Sequence, residues 1–117
     1  MAKDDYHVIV YKILAYFYGC LKSGKTPHRE DYAPECEMFC IPESYWAQIM
    51  RELIENGYLR DIIVVPMAQG IGVKAGPTAA ITMKGVEFLE NNSGLRKAKE
   101  FLGKAFEVVL AQIIAMA

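Results

Sequence analysis

A charge imbalance is the first thing this sequence does without: 13 lysines and arginines stand against 14 aspartates and glutamates, a formal net charge of -1 at pH 7. No global attraction to nucleic acid or to an anionic membrane follows, so any polyanion has to be met by a local patch. Cysteine is scarce and odd in number, at Cys20, Cys36 and Cys40, which speaks against a disulfide framework. The opening MAKDDYHVIV carries two acids and no basic run ahead of an apolar one, so a secretory leader is not expected and reduced thiols in the cytoplasm are. Long apolar runs are also missing. The longest, Val108 to Ala117, is broken by Gln112 and is about half the ~20 residues that a membrane span needs. No internal repeat and no low-complexity tract is present.

What the sequence has is apolar side chains. Hydrophobic residues make up 53% against 23% charged, a composition that folds, in a length that fits one domain with its own core. From Asp4 to Leu21 the apolar positions Tyr6, Ile9, Ile13, Tyr16, Phe17, Cys20 and Leu21 recur at helical spacing, and Ser23-Gly24 stops the helix. Thr26 to Tyr32 reads as a short second helix with Thr26 at its N-cap and Pro27 in its first turn. Pro42 to Asn56 puts Tyr45, Trp46, Ile49, Met50, Leu53 and Ile54 on one stripe. Tyr58 to Val65 is β-branched and extended and breaks at Pro66. Met67 to Pro77, with Gly70, Gly72 and Gly76, reads as a flexible loop, and Thr78 to Ile81 as the returning strand. Thr82 can cap a helix over Met83 to Glu90. A last helix from Leu95 to about Met116 carries Leu95, Ala98, Leu102, Ala105, Phe106, Val109, Ile113 and Met116 on one stripe.

Helix, short helix, helix, hairpin is the order of a winged helix-turn-helix. The expected fold is therefore α+β, mostly α: a winged helix-turn-helix over residues 1–94 with a two-stranded β wing, and an added long C-terminal helix over residues 95–117. The alternative is an all-α bundle in which the hairpin is a long loop. The added helix carries more apolar surface than one face of a small domain covers, so it either packs on the domain or forms a homodimer seam through Phe101, Val108 and Ile114.

In a winged helix the third helix enters the major groove, and its outer face needs side chains that reach base edges and phosphates. Here that face is Glu43, Ser44, Ala47, Gln48, Arg51, Glu52 and Glu55, one positive charge against three negative. Residues 30–57 hold seven acids against Arg51, whereas residues 1–29 hold five bases against two acids. A basic footprint is expected instead at Lys22, Lys25, His28 and Arg29 around the second helix, joined by Lys74 in the wing and by Gln48 and Arg51. Lys22, Lys25, His28 and Arg29 read also as a solvated helix end that satisfies terminal carbonyls.

Other chemistry is thinly represented. Cys36-x-x-x-Cys40, with His28 and Cys20, lacks the spacing of paired zinc ligands, and the cysteines are expected to pack Glu35 to Ile41 onto the core as small apolar side chains. A thiol nucleophile with His7 or His28 as base has no third group to orient it. Gly70-x-Gly72-x-x-x-Gly76 matches neither phosphate-loop pattern. The carboxylates Glu30, Asp31, Glu35 and Glu37 read as solvated surface, and Tyr45, Trp46 and Tyr58 as core. No catalytic residue, cofactor or metal is expected, and no enzyme.

Three stretches carry a resemblance: Tyr11-Lys12-Ile13-Leu14; Tyr45-Trp46 through Glu55-Asn56-Gly57-Tyr58-Leu59; and Ile81-Thr82-Met83-Lys84-Gly85-Val86-Glu87-Phe88-Leu89-Glu90-Asn91-Asn92-Ser93. In these the chain resembles the YjcQ-like proteins of Gram-positive bacteria and their phages. The resemblance implies a winged-helix fold and a phage-related origin, and it carries over no catalytic residue. The expected function is that of a non-enzymatic, regulator-like module that binds double-stranded DNA. The alternative is a protein-interaction module that offers the acidic third helix to a basic partner.

Overall fold

The computed structural model describes all 117 residues and shows a mostly helical α+β chain. The elements run α1 (Tyr6–Ser23), α2 (Arg29–Tyr32), β1 (Glu35–Cys36), β2 (Phe39–Cys40), α3 (Glu43–Glu55), β3 (Leu59–Met67), β4 (Gly70–Ile81), α4 (Met83–Asn91) and α5 (Ser93–Met116). Two antiparallel pairs, β1 with β2 and β3 with β4, form separate two-stranded sheets. No helix is long and apolar enough to cross a membrane.

The core is built around α1, whose residues from Val8 to Phe17 are all buried. Gly24 ends it with φ 68, a left-handed conformation that glycine adopts without steric cost. The second helix is shorter than its sequence suggests, beginning after His28 rather than at Thr26. His28 is extended, and its backbone N–H donates to the Tyr16 hydroxyl at 2.9 Å. That bond holds the preceding chain straight, while Tyr32 closes the element by packing on Phe17 with ring centroids 4.9 Å apart.

The β1–β2 hairpin was absent from the expected elements, and it corrects the role of one cysteine. Cys36 pairs with Phe39, and Phe39 takes the inward face, so its neighbour Cys40 points outward and is exposed. Met38, Phe39 and Ile41 supply the burial expected of Cys40.

The stretch expected to be a loop is a strand. Pro66 does not end β3, and only Ala68 and Gln69 separate β3 from β4. Both strands of a two-stranded sheet are edges, where a missing N–H is tolerated, and Pro66 pairs with Ile71. Gly70 makes the turn with φ 109. The register slips between Arg60, paired with Ala80, and Ile62, paired with Ala75. Asp61 sits there at φ 59, and its carboxylate accepts the Thr78 backbone N–H at 2.9 Å and the Thr78 hydroxyl at 2.7 Å. These two bonds hold residues 76–79 as an outlying bulge.

Thr82 caps α4 as expected, accepting from the Gly85 N–H at 3.0 Å and donating to the Gly57 carbonyl. A side chain at Gly85 would collide with the Tyr58 carbonyl oxygen. α5 is not one continuous stripe: Gly103, at φ 64 and ψ -161, breaks it. Leu95 and Ala98 are buried before the break and Phe106, Ile113 and Ile114 after it, whereas Ala105 and Met116 are exposed. The break resets the helical phase, which a single periodicity cannot follow. All five buried residues join the same core as α1.

Candidate nucleic-acid interface

α3 is anchored from its apolar side. Trp46, Ala47, Ile49, Met50 and Leu53 are buried, and the Trp46 indole N–H donates to the Tyr32 carbonyl at 2.7 Å, tying α3 to α2. Ala47, expected outward, lies in the core at 1% exposure. Tyr45 is half-buried and donates its hydroxyl to the Asp4 carbonyl at 2.8 Å. The outer face is thus narrower than the sequence implies: Glu43, Ser44, Gln48, Arg51 and Glu55 are exposed, with Glu52 half-buried beside them.

Glu43 is not a free surface carboxylate. It accepts the backbone N–H of Ile71 at 3.0 Å, and Gly70 lies beneath the same group. The tip of the β3–β4 hairpin is therefore fastened to the first turn of α3. A Cβ at Gly72 would stand 3.7 Å from an Arg29 guanidinium nitrogen, which places Arg29 beside the same tip. Lys74 is exposed further along β4, opposite Ile63. Gln48, Arg51 and Lys74 thus lie on the two elements that the Glu43 contact holds together, with Arg29 of α2 beside their junction.

Lys22 and Lys25 do not join them. The Lys22 ammonium stands 4.3 Å from the Tyr18 ring centroid, and its side chain lines a cleft of about 550 Å³ with Arg96 and Lys99 of α5. Lys25 donates to the Ala115 carbonyl at 2.8 Å, so it satisfies a terminal carbonyl, though of α5 rather than of its own helix. Sequence reading missed Arg96 and Lys99 as members of a basic group, because only the packing of α5 on α1 brings them beside Lys22. The His28 side chain is exposed, while its backbone is held by Tyr16.

Buried polar chemistry lies under α2. The Tyr16 hydroxyl donates to Asp31 at 2.7 Å, and burial, with that carboxylate beside it, raises its pKa. Burial also pushes Tyr32 up to about 12. The thiols of Cys20 and Cys36 are raised by burial too, which keeps them protonated and poor as nucleophiles. No group of three His, Cys, Asp or Glu side chains is placed to hold a metal ion. Of the seam residues, Phe101 and Val108 are exposed, at 47% and 58%. Ile114 is turned inward against Gly19 of α1, so it cannot face a second copy.

A family model described as YjcQ protein matches residues 11–106. Neither a curated protein nor a solved structure matches the chain.

Proposed function

The chain belongs to the YjcQ family, and on that premise we propose that it is a non-enzymatic winged-helix module that contacts duplex DNA through α3 and the β3–β4 hairpin. In this reading the hairpin is the wing. The observation that carries it is the bond from the Ile71 N–H to Glu43. It fastens the wing beside the reading helix and turns the Glu43 carboxylate, with its charge retained, onto the backbone of the wing tip.

Gln48 and Arg51 reach base edges, and Arg29, Arg51 and Lys74 meet phosphates. About three phosphate contacts give weak binding with a log–log salt slope near -3. Titration of a labelled duplex at low salt tests this: Arg51→Glu should abolish binding, and an unchanged affinity would defeat the proposal. The raised thiols of Cys20 and Cys36 favour a non-enzymatic role, and three free cysteines favour the cytoplasm.

One observation favours the protein-binding alternative. Lys22 and Lys25 turn towards α5, while Glu55 is exposed on α3 with Glu52 half-buried beside it. A basic partner held by those two carboxylates would be lost on Glu52→Lys/Glu55→Lys. The same substitutions should strengthen DNA binding if the first reading holds.

The last turns of α5 supply a seam for a second copy in this proposal. Ala105, Val108, Ala111 and Ala115 are exposed at helical spacing, an apolar stripe whose Ala111 and Ala115 also border Gly19 and Lys22 of α1.

A further inference from the structure

Lys12 sits within an otherwise apolar run of α1 and is only 7% exposed. A buried ammonium is costly unless it is hydrogen-bonded and its charge is balanced. Its Nζ donates to the Met38 carbonyl at 2.6 Å and lies 5.7 Å from the Phe106 ring centroid. An ammonium has three N–H donors, and the Met38 carbonyl accepts from one. Its bonded partner is a neutral carbonyl, and burial, together with the like-charged Lys3, lowers its pKa against the opposing effect of Cys36.

The same side chain lines a cavity of about 600 Å³ between the β1–β2 hairpin and the N-terminal segment Ala2–Asp4. That segment is fastened in place, since Ala2 N–H donates to the Asp5 carboxylate at 2.8 Å and the Asp4 carbonyl accepts from Tyr45. Met38, Phe39 and Ile41 form an apolar wall. The titratable groups facing the cavity besides Lys12 are Lys3, Asp4, Cys36, Glu37 and Cys40. Asp4 and Glu37 would repel a multiply charged anion, whereas a single negative charge supplies what Lys12 lacks.

We propose that this cavity binds a small apolar monocarboxylate, its carboxylate on the Lys12 ammonium and its hydrocarbon part against Met38, Phe39 and Ile41. This site lies apart from the α3 and hairpin surface and does not rest on the DNA reading.

Benzoate serves as the probe, with benzamide as its neutral counterpart and inorganic phosphate as a multiply charged one, each titrated into the whole chain and followed by NMR. Saturable shifts around Lys12 and Met38 are expected with benzoate, at least about tenfold weaker binding with benzamide, because the charge-assisted bond is gone, and no tighter binding with phosphate. Lys12→Met should abolish the benzoate response. Equal binding of benzoate and benzamide, tighter binding of phosphate, or no saturable response to benzoate would each overturn the proposal. Should Lys12→Met fail to fold, the three probes on the unaltered chain decide the matter alone.

Discussion

The Glu43 carboxylate accepts the backbone N–H of Ile71 at 3.0 Å and so joins the first turn of α3 to the tip of the β3–β4 hairpin. The two residues are 28 apart in sequence, and their bond fastens together the two elements proposed to meet DNA. Glu43→Ala should release the tip while leaving the core intact. Hydrogen exchange is expected to quicken at Gly70 to Val73, with global stability lowered by no more than about 1 kcal/mol for an exposed bond. Unchanged exchange at the tip would mean that the bond holds nothing.

Asp61 gives a pH dependence of defined sign. The two bonds from Thr78 hold its carboxyl below the usual carboxylate value. A group whose pKa falls on folding contributes stability that is fully present above its unfolded value of 3.8 and lost as pH drops through the lower folded one. The Thr78 amide resonance should therefore titrate below pH 3.8, and Asp61→Asn should remove that titration together with its share of the acid destabilisation.

Gly103 tests the break in α5. At φ 64 and ψ -161 it occupies a region that only glycine visits readily, and no atom stands within 4 Å of where a Cβ would be. Gly103→Ala should thus cost stability through the backbone alone, about 1–3 kcal/mol, read as a lower urea midpoint. A midpoint equal to that of the unaltered chain would show that the helix is straight.

Gly19 and Ile114 form a matched pair. A Cβ at position 19 would overlap the Ile114 side chain, so Gly19→Ala should destabilise by about 1–3 kcal/mol. Ile114→Val removes the colliding Cδ1 methyl, and the double variant should recover much of the loss. Additive destabilisation in the double variant would exclude the contact.

The proposed seam predicts a dimer by light scattering, reduced to a monomer by Val108→Ser/Ala111→Glu. A single monomeric mass for the unaltered chain at high concentration would refute the seam.

Much of this fold was legible because local signals agreed with packing. The stripe through Trp46, Ile49, Met50 and Leu53, the Thr82 cap and the stop at Gly24 each rest on neighbours within one or two turns. Apart from the local break at Gly103, the failures involve partners far away in sequence. Gly70 to Pro77 read as a loop because its glycines and proline argue against a strand, and only pairing with β3 and the Asp61–Thr78 clasp make it one. Lys22 and Lys25 read as neighbours of Arg29, yet Lys22 lies over Tyr18 of its own helix and beside Arg96 and Lys99 of α5, and Lys25 bonds Ala115 of α5. The buried charge of Lys12 was hidden within a short motif, because nothing in Tyr11-Lys12-Ile13-Leu14 says that Met38 will cover it.

The central claim, that α3 and the hairpin form one DNA-contacting surface, is tested most directly by fluorescence anisotropy of a labelled duplex between about 50 and 200 mM salt. The unaltered chain should bind with a slope near -3, Arg51→Glu and Arg29→Glu should each abolish binding, and Lys22→Glu should leave it unchanged. Loss of binding on Lys22→Glu with Arg51→Glu silent, or no binding at the lowest salt, would contradict the account.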